Sequence, residues 1–166
     1  MSSELSTDPY WKLRQTRITE NDNDEVCQCA TLRYVMLRDS LTENPLKCVD
    51  CNGEVAPERI GFDERLAEDI AQWRSVFQSL YLLWIDSNEY ERWASERLSD
   101  RNGRVNLLGR EIVNDLNQFV RTYYWWFENT EIEDPSAKLV CPNCGIDLVP
   151  FEERNFQKCE TCSIFL

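Results

Sequence analysis

Cys141-Pro-Asn-Cys144-Gly145 and Cys159-Glu-Thr-Cys162 are two Cys-x-x-Cys pairs with fourteen residues between them. A tetrahedral zinc ion asks for four soft ligands at about 2.3 Å, and each pair sets two thiolates on one side of a metal from a single tight turn. Pro142 presets φ in the first turn, and Gly145 permits the positive φ with which the backbone leaves a metal knuckle. Residues 146–151 and 155–158 alternate well enough to predict two short strands crossing over the metal. The stretch therefore reads as a zinc ribbon with Cys141, Cys144, Cys159 and Cys162 as ligands. Disulfides or four buried thiols are the other readings of the same residues, and the spacing favours the metal.

A second knuckle, Cys48-Val-Asp-Cys51, is followed by Gly53. Its partners are less obvious. Cys27 and Cys29 lie two apart within residues 26–37, where β-branched and aromatic residues alternate roughly as on a strand. On a strand both thiols would point to one face, giving Cys27, Cys29, Cys48 and Cys51 as a second four-cysteine site. The competing reading makes Cys27 and Cys29 small buried hydrophobes.

Between the cysteine groups the pattern becomes helical. Leu66, Ile70, Trp73, Phe77, Leu80 and Trp84 recur at steps of three and four, predicting a helix over 63–86 with one broad buried face. Ser87 is placed to cap a second helix with Tyr90, Trp93, Ala94 and Leu98 on its apolar side. A third is expected over 105–127, with Leu108, Ile112, Leu116, Phe119, Tyr123 and Trp126 as its stripe. Its end, Tyr123-Tyr-Trp-Trp-Phe127, is aromatic on every side, so some rings must face a neighbour other than the helical core, either the rest of the fold or a partner. The expected fold is α+β: a central three-helix bundle (63–134) flanked by an N-terminal β segment with a cysteine knuckle (1–62) and a C-terminal zinc ribbon (135–166).

The formal net charge is −12. It divides as −4 over 1–62 (7 basic, 11 acidic), −7 over 63–134 (8 basic, 15 acidic) and −1 over 135–166 (3 basic, 4 acidic). Each four-thiolate zinc site would add −2. Nucleic-acid affinity comes mostly from lysines and arginines that displace counterions from phosphates, so this balance disfavours a polyanion and favours a basic partner. The polar, acidic start holds no signal peptide and no apolar run reaches membrane-spanning length, which predicts a cytoplasmic protein with no membrane contact. In that compartment eight closely paired cysteines favour metal over disulfides.

Histidine is absent. That removes the commonest general base, the Ser-His and Cys-His nucleophile pairs and His-ligated catalytic zinc. No glycine-rich phosphate loop exists. Carboxylate pairs such as Asp69 with Asp115 carry no mark that separates them from solvated helix charges, so no catalytic residue is expected.

Several fragments together resemble a bacterial family of uncharacterised zinc-ribbon proteins usually described as nucleic-acid binding. They are Pro45-Leu-Lys-Cys48-Val-Asp-Cys51, Trp73, Leu83-Trp84 with Ser87, Trp93-Ala94, Val105-Asn106 with Gly109-Arg110, Thr122-Tyr123-Tyr124 and the terminal Cys-Pro-x-Cys ribbon. The resemblance spans about residues 40–166 and implies zinc at Cys141, Cys144, Cys159 and Cys162. Residue chemistry and charge lead to a different emphasis: a non-enzymatic, acidic protein-binding module for a basic partner, such as an immunity or antitoxin protein or a regulatory adaptor. Glu64 and Glu68 would be its steering charges, and Tyr124 and Trp125 its apolar anchors. Nucleic-acid binding is the alternative, for which Arg154-Asn155-Phe156 at the ribbon tip offers a small basic and aromatic site.

Overall fold

The computed structural model describes residues 8–14, 25–129, 140–151 and 154–166. Helix α1 (Glu64–Asp86) begins as its sequence dictates. The Asp63 carboxylate accepts the Leu66 N–H at 2.9 Å, satisfying one of the orphan donors of the first turn. Leu66, Ala67, Ile70, Trp73 and Phe77 are buried along one stripe. A single 3-10 turn (Asn88–Tyr90) leads into α2 (Glu91–Ser99), so the two helices are as much one bent helix as two. In α2 only Ala94 and Leu98 of the expected apolar side reach the core, whereas Tyr90 and Trp93 stay half exposed.

The third helix is shorter than its period suggests. α3 (Arg104–Leu116) stops where Asn117 folds the chain back: its amide donates to the carbonyls of Val113 (2.8 Å) and Thr122 (3.1 Å), and its Oδ1 accepts the Thr122 N–H (2.9 Å). Residues beyond it return as a strand, β3 (Arg121–Trp125). This corrects the expectation of a helix to residue 127. Rings on every side of a helix are, on a central strand, rings on both faces, and the β-branched and aromatic run 120–125 suits that pleated setting.

β3 joins β1 (Tyr34–Leu37), β2 (Leu46–Cys48), β4 (Val149–Phe151), β5 (Phe156–Cys159) and β6 (Ile164–Phe165) in one mixed sheet of order β2-β1-β3-β6-β5-β4. β1, β3 and β6 are parallel neighbours, with Val35 opposite Thr122 and Tyr124 opposite Ile164; the outer pairs are antiparallel. The segments 1–62, 63–134 and 135–166 thus all contribute strands to the same sheet. The strand expected over 26–37 is present only as Tyr34–Leu37, with Val26 in a single bridge to Glu54.

Alternation on β3 divides two cores. Tyr124 faces the helices, where Trp73, Ile112 and Leu116 are buried with it. Tyr123 points the other way, into a cluster with Met36, Val49, Phe151 and Phe165. That second cluster is enclosed because the sheet curls. Phe151 of the last strand meets Tyr34 of β1 edge-to-face at 5.3 Å, and Arg154 donates to the carbonyls of Val49 (3.0 Å) and Asp50 near the opposite edge. α3 can lie close on the sheet because Gly109 has no Cβ; one there would stand 2.6 Å from Tyr124 Cε2 and 2.8 Å from Trp73 Nε1. Among the described residues no helix is long and apolar enough to cross a membrane.

Candidate metal centres

Two groups of four thiols converge. Cys27, Cys29, Cys48 and Cys51 form one and Cys141, Cys144, Cys159 and Cys162 the other; in each, all four Sγ atoms lie within 4.8 Å of one another. A tetrahedron of thiolates about 2.3 Å from a metal separates its sulfurs by about 3.8 Å. The 3.7 Å between Cys144 Sγ and Cys159 Sγ matches that figure. Both sets of residues present therefore fit a tetrahedral ion with sulfur ligands. Four thiolates fill its coordination shell, leaving no position for water or substrate.

The N-terminal centre is assembled by a loop clamped onto a knuckle, and not by a strand as its Cys-x-Cys spacing suggests. Cys48 ends β2, its N–H donating to Gly53 O and its carbonyl accepting the Asn52 N–H, both at 2.8 Å. Cys27 is held against this turn by its N–H to Glu54 O at 2.7 Å. Arg59 completes the clamp, donating to Cys27 O (3.0 Å), Cys27 Sγ (3.2 Å) and Cys29 O (2.6 Å). The Gly53 N–H points at Cys51 Sγ, 3.4 Å away.

In the metal-free thiols these contacts divide the acidities. Burial pushes the Cys48 thiol up to about 12. Burial also pushes Cys27 up, but hydrogen bonds from the Cys29 N–H, the Cys48 and Cys51 thiols and Arg59 outweigh it and bring Cys27 to about 7. Arg59 thus places a fixed positive charge beside a centre that four thiolates and a dication leave at −2.

The C-terminal centre follows the ribbon pattern. Cys141 and Gly145 close the first knuckle, with Gly145 N–H to Cys141 O at 2.9 Å and φ of 74° at Gly145. β4 and β5 form the expected hairpin. β6 was not expected, since it is two residues long and follows the last cysteine directly. Cys141 and Cys159 are buried, whereas Cys144 is exposed and brought to about 7, chiefly by the Ile146 N–H. Asn143 ties the knuckle to α3: its amide donates to Cys162 Sγ (3.2 Å) while its Oδ1 accepts from Arg110 (2.6 Å). Arg101 adds a bond to Asn143 O at 3.3 Å.

Sequence reading found all eight cysteines but neither Arg59, Asn143 nor Arg110. Asn143 lies inside its own Cys-x-x-Cys and so carried a weak signal, whereas Arg59 lies outside any motif. Because such outer contacts set ligand orientation, Arg59→Ala is expected to weaken metal retention at the N-terminal centre by about 10–100-fold in a chelator competition, with the C-terminal centre unchanged. Arg59→Lys should recover only part of the loss, since a single ammonium cannot span three acceptors.

The surface residues singled out from the sequence fare differently. Glu64 and Glu68 are exposed at the start of α1, Glu68 paired with Lys12 at 2.8 Å. Tyr124 is fully buried and cannot anchor a partner. Trp125 is half-buried beneath Arg38 and beside Phe156. Asp69 and Asp115 are bridged by Arg65 at 3.0 and 3.2 Å, an ordinary role for two helix carboxylates.

The structure thus defines the chain as an α+β protein with cysteine knuckles in its N-terminal and C-terminal regions and two four-cysteine centres able to hold metal. Comparison with known proteins finds no family model, curated protein or solved structure that matches it. The likeness to zinc-ribbon proteins accordingly stands on the two cysteine centres alone.

Proposed function

We propose that both centres hold zinc in a structural role and that the chain is a non-enzymatic module whose acidic surface engages a basic protein. An immunity or antitoxin protein neutralising a cationic partner is the sharpest form of this reading, and a regulatory adaptor the plainer one. Zinc suits the donor set because four thiolates in a tetrahedron satisfy an ion with no geometric demand of its own.

The observation that carries the protein-binding part is the second half of α1. Leu80-Tyr-Leu-Leu-Trp-Ile85 is apolar all round the helix, yet no residue of α1 after Phe77 is buried. Leu82 and Ile85, with Tyr90 and Trp93 beyond the turn, are about half exposed. A helix apolar on every side normally sits inside something. Asp86, Glu89 and Glu91 border this end, so a partner covering it gains from basic residues around an apolar centre. These residues replace Tyr124 and Trp125 as the apolar anchors.

Nucleic acid, the alternative, finds less support. Arg154 is spent on the carbonyls of Val49 and Asp50, Lys158 pairs with Glu160, and Phe156 packs on Trp125 with ring centroids 4.8 Å apart. The basic and aromatic tip read from the sequence is used by the fold.

Affinity capture from native lysate, with and without nuclease, tests the proposal. The expected result is a nuclease-resistant basic protein whose binding falls at least about 100-fold with Leu82→Asp/Ile85→Asp. Glu64→Lys/Glu68→Lys should slow its association and flatten the salt dependence while zinc content stays intact. A nuclease-sensitive complex, or a protein complex indifferent to both changes, counts against it.

A further inference from the structure

Two clefts meet outside the carboxyl ends of the parallel strands β1 and β3, the end at which open sheets of parallel strands place their ligands. One, of about 320 Å³, is walled by rings: Tyr81 and Trp84 from α1, and Trp125 and Phe127 from β3 and the residues after it. The other, of about 280 Å³, is polar and reaches Ser40, Lys47 and Asn52. Arg38, Asp39 and Tyr81 line both. An aromatic slot of this size opening onto a few polar groups is the usual form of a small-ligand site.

The charges at the junction are not balanced. Lys47 is paired with Glu54 at 3.2 Å, and Asp39, whose carboxyl burial pushes up, is met by the backbone N–H groups of Leu41 and Ser40 and by the charges of Arg74 and Lys47. Arg38 has no such counterpart. Its guanidinium lies 4.3 Å from the centroid of the Trp125 ring and, among the described residues, makes no side-chain hydrogen bond or ion pair; burial lowers its pKa, opposed by Tyr81. Glu128 stands on the rim of the aromatic cleft. A half-buried cation without an anion is costly unless a ligand supplies one.

We propose that this double cleft binds a small planar aromatic anion. The ring lies against Tyr81, Trp84 and Trp125, and its carboxylate or phosphate meets Arg38. The site is separate from both cysteine centres; Tyr81 and Trp84 border the exposed Leu82 and Ile85 on α1, but the cleft does not depend on the function proposed above.

The indole N–H resonances of Trp84 and Trp125 in the zinc-loaded full chain report on it. Titration uses indole-3-acetate and guanosine monophosphate, each beside its neutral counterpart, indole and guanosine. The expected result is a saturable shift at Trp84 and Trp125 from at least one anion with a Kd below about 1 mM, and binding at least about tenfold weaker for its neutral counterpart. Arg38→Gln should weaken the anion by about tenfold or more, and Arg38→Lys by less. Arg38 is tied to the fold by its backbone N–H to Pro45 O, which these substitutions leave in place, and Trp84→Leu provides a second variant that should also weaken binding. Saturation by indole-3-acetate alone identifies a carboxylate ligand, and by guanosine monophosphate alone a phosphate. No saturable shift from either anion, equal binding of the neutral molecules, or an affinity unmoved by Arg38→Gln and Trp84→Leu overturns the proposal.

Discussion

Asn106→Ala is expected to remove about 3–5 kcal/mol of stability, a large share of what a domain of this size possesses. Asn106 is fully buried in the first turn of α3, and its side chain joins three elements. Its amide donates to Leu98 O (2.8 Å) and Asp100 O (2.9 Å), two of the orphan carbonyls at the end of α2, and its Oδ1 accepts the Tyr124 hydroxyl at 2.7 Å. Tyr124 is itself without exposed surface. Alanine would strand the Leu98 carbonyl and a phenol in the interior, each costing about 1–3 kcal/mol, while Asp100 O keeps the Gly103 N–H at 2.9 Å. Tyr124→Phe strands only the single Oδ1 and should cost about 1–2 kcal/mol. Urea denaturation of the zinc-loaded protein orders the two; a Tyr124→Phe loss equal to that of Asn106→Ala would show that the helix-end carbonyls contribute nothing.

Gly53→Ala should dismantle the N-terminal centre. An added Cβ would stand 2.7 Å from Cys27 N, 2.9 Å from Cys27 Cα and 3.0 Å from Val26 C. All three are backbone atoms, so no side chain can swing away and the loop carrying Cys27 must lift off the knuckle. That breaks the Cys27 N–H to Glu54 O bond and draws one thiol out of the four-sulfur cluster. The expected outcome is loss of one of two bound metal ions together with several kcal/mol of stability, about that of a structural site emptied of its ion. Gly145→Ala is the contrast. Gly145 has φ of 74°, and nothing stands within 4 Å of its would-be Cβ, so the cost is backbone strain of about 1 kcal/mol with metal retained. Metal content after dialysis separates the two variants, and equal loss from both would contradict the steric account.

Much of this architecture is legible in the sequence where local chemistry decides it. Asp63 and the 3.6-residue recurrence from Leu66 to Phe77 specify α1 by themselves. The Cys-x-x-Cys pairs specify the knuckles, and the alternation between the second two specifies the β4–β5 hairpin. What the sequence hides is decided at long range. Residues 121–125 satisfy a helical stripe as well as a strand's two faces, and only the Asn117 turn, with β1 and β6 as neighbours, settles the matter. β6 is too short to carry a pattern, and Arg59 acts on cysteines thirty and thirty-two residues away. The fragments that carried the family resemblance fall at such junctions. Trp73, Asn106, Gly109 and Tyr124 join α1, α3 and the sheet, while Arg110 joins α3 to the ribbon through Asn143. They are residues of the fold's internal joints, which accounts for their silence about function.

Two structural zinc ions are proposed to staple this chain, and elemental analysis of the protein purified under reducing, metal-replete conditions is the decisive experiment. About two zinc per chain are expected, about one after Cys144→Ser or Cys162→Ser, and about one after Cys48→Ser. Wild-type protein that is folded and holds no zinc would contradict the account.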